Sequence, residues 1–153
     1  MFSCPKYLVL FLAIGSLTLP AEAQRNPQIG RQLATVLLRS ERSWDGSKYR
    51  AYPKGSPELT ILKIDIPAHT ALPWHTHPMP NAAYVISGTL HVETRKGAKE
   101  ITLTAGDVLP ETVGIIHRGW TEESPVQLIV FYAGVKNMPT EEKVQKSRSG
   151  KAK

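Results

Sequence analysis

The sequence predicts an all-β domain, a sandwich or jelly roll, and three observations carry that expectation. From Leu59 to Tyr132 the chain is a succession of short segments in which apolar residues fall on alternate positions, the period of a half-buried strand. Gly, Pro and Asn punctuate those segments at near-even intervals. No stretch within them holds the spacing of an amphipathic helix. Many short strands without helices pack as two sheets around one core.

Before that region come two segments of different character. Met1 to Ala23 reads as an export signal: Lys6 supplies the positive start, Tyr7 to Ile14 is a short apolar core, and Pro20 precedes the small-x-small triplet Ala21-Glu22-Ala23. The apolar core is well under the ~20 residues that span a bilayer. Cleavage after Ala23 would deliver a periplasmic or secreted protein with no transmembrane segment. Cys4, the single cysteine, would leave with the signal, which excludes disulfides and thiolate metal ligands from the mature chain. The remaining 130 of 153 residues suffice for one domain.

Within the mature chain, residues 24–58 read as an N-terminal arm, with an edge strand over about Thr35 to Arg39 followed by loops. Trp44-Asp45-Gly46 marks a turn, and Trp44 and Tyr52 are expected to cover the domain's flank. Residues 59–134 form the barrel, and residues 135–153 a basic tail expected to be disordered. The formal net charge of +6 is concentrated in the arm and tail, while Ile61 to Ala133 carries five basic and seven acidic residues. A basic tail can meet an anionic surface. Export nevertheless argues against nucleic acid, and a solvated terminus is the ordinary reading.

Taken in order, Leu59 to Ile66 alternates so that Thr60, Leu62, Ile64 and Ile66 face the core. Pro67-Ala68-His69-Thr70 turns the chain into the segment around Trp74 to His77, and Pro78-Met79-Pro80 bends it again. Asn81 to Ser87 is apolar on both faces, which calls for cover by the arm or by a second copy in a homodimer. Gly88 turns into Thr89 to Arg95, where His91 falls on the polar face and is not a ligand candidate. Glu100 to Thr104 pairs back, Ala105-Gly106-Asp107 turns, and Val108 to Leu109, Ile115 to His117 and the long apolar Val126 to Tyr132 complete the strands.

The chemistry lies in histidines. On an extended segment His75 and His77 point to the same face, and His117 lies where the chain returns to them. Neutral imidazoles suit Zn, Cu, Fe and Ni. His75-Thr76-His77, three residues, Asn81, six residues and Gly88 match in spacing the first of two motifs of the cupin superfamily. Gly106, seven residues, Gly114, two residues and His117 match the second. The chain thus resembles small single-domain cupins over about Leu59 to Gly134. Four positions depart from the motifs: His69 stands for glycine, Asn81 for the carboxylate, Thr112 for proline and Thr121 for asparagine. His69 is expected in a turn, since His tolerates the left-handed region better than most residues.

The resemblance implies a jelly-roll barrel, the double-stranded β-helix. His75, His77 and His117 would then hold a divalent transition metal (Zn, Fe, Mn, Ni or Cu) inside it. Asn81 falls at the fourth ligand position with only a weak amide donor. Two functions follow. One is a binding module that holds the metal and a small-molecule ligand. The other is a metal-dependent enzyme of the dioxygenase, oxidoreductase or hydrolase type, with Glu111, Tyr84 and Arg118 as the polar side chains available for substrate contact or proton transfer. The missing carboxylate, and the absence of a second titratable group from the expected inner face, favour the binding module.

Overall fold

The computed structural model describes residues 33–144, and those from Thr35 onward belong to one compact unit. The segment read from sequence as an export signal and the end of the basic tail lie outside the described residues. Nine strands and no helix make up the described chain. They are β1 (Pro57–Ile66), β2 (His75–Thr76), β3 (Asn81–Ser87), β4 (Thr89–Thr94), β5 (Glu100–Thr104), β6 (Val108–Pro110), β7 (His117–Trp120), β8 (Val126–Val135) and β9 (Glu142–Lys143). One sheet has the order β1-β8-β3-β6 and the other β5-β4-β7-β2-β9, and neighbouring strands are antiparallel throughout. No helix among the described residues is long and apolar enough to cross a membrane.

Alternation decides which side chains enter the core. On β3, Ala83 and Val85 are fully buried, and on β8 Val126, Leu128, Val130 and Tyr132 face the same interior. The second sheet contributes Leu90, Val92 and Leu103 to the same apolar cluster. Burying such side chains contributes about 1.5–3 kcal/mol each, so this shared interior holds the two sheets together. The longest ladder, β1 on β8, runs in unbroken register from Pro57 opposite Val135 to Ile66 opposite Val126. Tight turns carry the chain between sheets after β3 and after β1. Gly88 sits at φ +84°, and a Cβ there would lie 2.1 Å from the Pro125 carbonyl oxygen. His69, at φ 54°, takes the left-handed turn expected of it.

The structure departs from the sequence reading in five places. Thr35 to Arg39 is not a strand: no other strand pairs with it, and Val36 and Leu37 are exposed. The arm meets the sheet later, where Trp44 N–H donates to the Pro110 carbonyl (2.9 Å). Trp44 packs against the core as expected, whereas Tyr52 stands 73% exposed at the edge of a groove it shares with Pro80 and Phe131. Leu62, expected in the core, lies on the edge strand β1 and remains 37% exposed. The strand expected from Ile115 begins only at His117, because the Ile115 carbonyl turns back onto the His117 ring (2.8 Å). Finally, residues 135–144, assigned from sequence to the tail, complete β8, turn at Asn137 (φ 67°) and form β9 against β2.

Candidate metal centre

Three strand relationships bring the histidines together. His75 lies opposite His117 in the β2–β7 pair. His77 follows two residues later on the same face and bridges Val113, while Gly114 N–H donates to the His77 carbonyl (3.0 Å). All three are buried, and their ring centroids are 4.6–5.0 Å apart. One nitrogen from each lies within 4.8 Å of the others.

The orientation of each ring is fixed from behind. His75 Nδ1–H donates to the Pro73 carbonyl (2.8 Å), His77 Nδ1–H to the Thr140 carbonyl (2.7 Å), and His117 Nδ1–H to the Ile115 carbonyl (2.8 Å). Thr112 Oγ1 lies 2.9 Å from the same His117 nitrogen. With Nδ1 carrying the proton, each neutral ring presents its Nε2 lone pair on the other side. Such backing of a ring by carbonyls sets the tautomer of metal-binding histidines.

Glu111 completes the cluster. Its Oε2 lies 3.2 Å from His117 Nε2, and the side chain is only 12% exposed. Both atoms are buried without a hydrogen-bond donor, because the His117 proton is already engaged at Nδ1. Two buried acceptors facing each other are costly unless a proton or a cation lies between them. The protonated case is visible in the electrostatics. Burial pulls His117 down, but the Glu111 carboxylate outweighs it and holds the imidazole above its ordinary range. Burial likewise opposes ionisation of Glu111, yet the three imidazoles, His117 foremost, hold its carboxyl below its ordinary range. His77 is pushed down, chiefly by burial.

A divalent cation satisfies the same atoms. At ligand distances of about 2.1 Å, two donors on one ion stand roughly 3.0 Å apart at a right angle and about 3.4 Å apart in a tetrahedron. The His117–Glu111 separation falls between these. The donor set of three imidazole nitrogens with a carboxylate suits Zn, Fe, Mn, Ni or Cu. When bound, such an ion acts as a Lewis acid and can lower the pKa of its water to ~7.

The surrounding cavity has a volume of about 230 Å³ and is walled by Ile64, Leu72, Val130, Tyr132 and Glu141 besides the cluster itself. Burial, with Glu111 and Glu141 nearby, pushes the Tyr132 hydroxyl up to about 12, so it enters as a neutral phenol. The remaining sequence candidates lie elsewhere. Asn81 is buried, donates Nδ2–H to the Met79 carbonyl (3.2 Å), leaves Oδ1 without a partner, and does not form part of this cavity's wall. Tyr84 is on the outer, exposed face of β3. Arg118 pairs with Glu93 (2.7 Å) over the Trp74 ring, and His91 stacks on Trp120 with centroids 4.1 Å apart, both away from the histidine cavity. Of the three polar candidates only Glu111 reaches the site, so the inner face does hold a second titratable group. The sequence reading missed Thr112, Tyr132 and the 140–143 segment. Alternation on β8 could have flagged Tyr132, but nothing local signals the others.

Fold and site together define a jelly-roll β-barrel with three histidines and a carboxylate converging in its interior. Residues 62–132 match the family model for the cupin domain, and this stretch of the chain is a cupin domain. No curated protein matches the sequence. Among solved structures, the polyketide cyclase RemF from Streptomyces resistomycificus is similar at 15% identity and TM-score 0.51, covering 61% of this chain and 65% of its own. A structure reported for the DMSP lyases RdDddP and RnDddQII is similar at 20% identity and TM-score 0.51, covering 57% of this chain and 44% of its own. The chain thus spans less than two thirds of these neighbours' lengths, and at such identities the likeness is one of fold.

Proposed function

We propose that this chain is an exported cupin that holds one divalent metal ion through His75, His77 and His117 and receives a small-molecule ligand beside it. The observation that carries the reading is the shared orientation of the three rings, each tied by Nδ1 to a backbone carbonyl and each turning its other nitrogen inward. The cavity is smaller than the about 300 Å³ at which sites for drug-sized ligands begin. It suits a compact ligand of few heavy atoms. Loading the protein with Co(II) and adding azide or catechol tests the reading. A shift in the metal's visible absorption is expected, and an unchanged spectrum at saturating ligand contradicts an accessible site.

The second reading, a metal-dependent enzyme, is favoured by one specific observation: Glu111 and the neutral Tyr132 phenol share the cavity with the histidines. The neighbours named above are a cyclase and lyases, but one fold hosts many chemistries. Turnover by metal-replete protein on a panel of thiols, diols and phenols would select the enzyme. A homodimer is supported by the apolar outer strip of Leu59 and Ile61 on β1 with Phe131 on β8. Light scattering at micromolar concentration should give twice the chain mass, and a strictly monomeric mass would rule the dimer out.

A further inference from the structure

We propose that Glu111 is a ligand of the metal ion and supplies, from the neighbouring strand, the carboxylate that Asn81 lacks. This inference rests on the three-histidine metal site proposed above. The ladder between β3 and β6 sets Ala82 opposite Pro110 and Ala83 opposite Leu109, so its next rung sets Asn81 opposite Glu111. Glu111 N–H donates to the Asn81 carbonyl (3.1 Å), which shows the pairing continuing through that rung. Directly opposed residues of an antiparallel pair share a face, with Cβ atoms about 4.5–5.5 Å apart. A carboxylate at Glu111 is therefore carried on the same face of the sheet as Asn81, one strand over.

The contact that Glu111 makes distinguishes a ligand from a group that merely orients one. An orienting partner binds the ring nitrogen remote from the metal. On His117 that nitrogen is already served by the Ile115 carbonyl and Thr112 Oγ1. Glu111 instead faces Nε2, the nitrogen left for the ion, at 3.2 Å. Neither atom has another hydrogen-bond partner. A metal bound at Nε2 would have the carboxylate within its coordination shell. Asn81 gives its amide nitrogen to the Met79 carbonyl and does not line the histidine cavity, whereas Glu111 does.

The test compares the full chain with Glu111→Gln, which keeps shape and removes charge, and Glu111→Asp, which keeps charge and withdraws it by one carbon. Zn(II) affinity is read by chelator competition, coordination by Co(II) absorption, and folding by the melting temperature of the metal-free protein. Losing an anionic donor should weaken Zn(II) binding on the order of 100-fold in the Gln variant. Its Co(II) bands should shift, and the Asp variant should fall between. Either variant binding Zn(II) as tightly as the parent with an unchanged Co(II) spectrum overturns the ligand assignment. If that happens while His117→Ala still abolishes binding, the three-histidine site stands without Glu111. If the parent itself takes up no metal, the site reading falls and takes this inference with it.

Discussion

Ending the chain after Pro139 should weaken metal binding without unfolding the barrel. The segment removed does two things at the site. The Thr140 carbonyl accepts the His77 Nδ1 proton at 2.7 Å, and β9 pairs with His75 and Thr76 of β2. Val144 N–H closes the same ladder on the Trp74 carbonyl (3.1 Å). The truncated chain keeps Met138, which packs on the core, and the whole β1–β8 ladder. Losing one neutral hydrogen bond costs about 1 kcal/mol in general, and removing a carbonyl behind a metal-binding imidazole typically costs 10–100-fold in affinity. The expected loss is therefore roughly 1.4–2.8 kcal/mol of binding free energy. Calorimetric titration of both chains with Zn(II) measures it, with metal-free melting curves as the check on folding. Affinity retained within about threefold by a well-folded truncated chain would refute the reasoning that a backing carbonyl contributes what the general range assigns.

Two further outcomes follow from particular contacts. Metal binding should weaken as pH falls, because each imidazole must be neutral to donate. His117 is held above the ordinary 6.5 in the metal-free protein, so the decline should begin on the alkaline side of that value, and Glu111→Gln should move its onset to lower pH. A pH titration of Zn(II) affinity that stays flat from 8 down to about 5 would contradict this. Gly88→Ala should be strongly destabilising, since φ +84° is strained for alanine and the added carbon meets the Pro125 carbonyl at 2.1 Å. Strain alone costs about 1–3 kcal/mol, and a urea unfolding midpoint equal to the parent's would show that the turn rearranges freely.

Most of the barrel was legible because its strands announce themselves locally. Alternation at β1, β4 and β8 and the breaks at Gly88 and Gly106 depend only on neighbouring residues. The histidines were legible for the same reason, since two positions on one strand must share a face. What escaped the sequence depends on partners distant in the chain. Val36-Leu37-Leu38 has a strand's composition but no ladder to join, and so stays outside both sheets and exposed. Glu142 and Lys143 have a tail's composition, yet β2 offers them an edge and they pair. Glu111 is one polar candidate among three in the sequence because its place beside the histidines follows from the β3–β6 register, which a single sequence does not display. Thr112 looked like a lost turn proline, and the fold uses its hydroxyl beside His117 instead.

Elemental analysis of metal per chain, in protein purified from its native compartment, tests the three-histidine site most directly. The parent should carry one divalent transition-metal ion per chain. His117→Ala should carry almost none, and adding His75→Ala to it should change little further, because the three rings serve one ion. Metal content in His117→Ala equal to that of the parent would contradict the site.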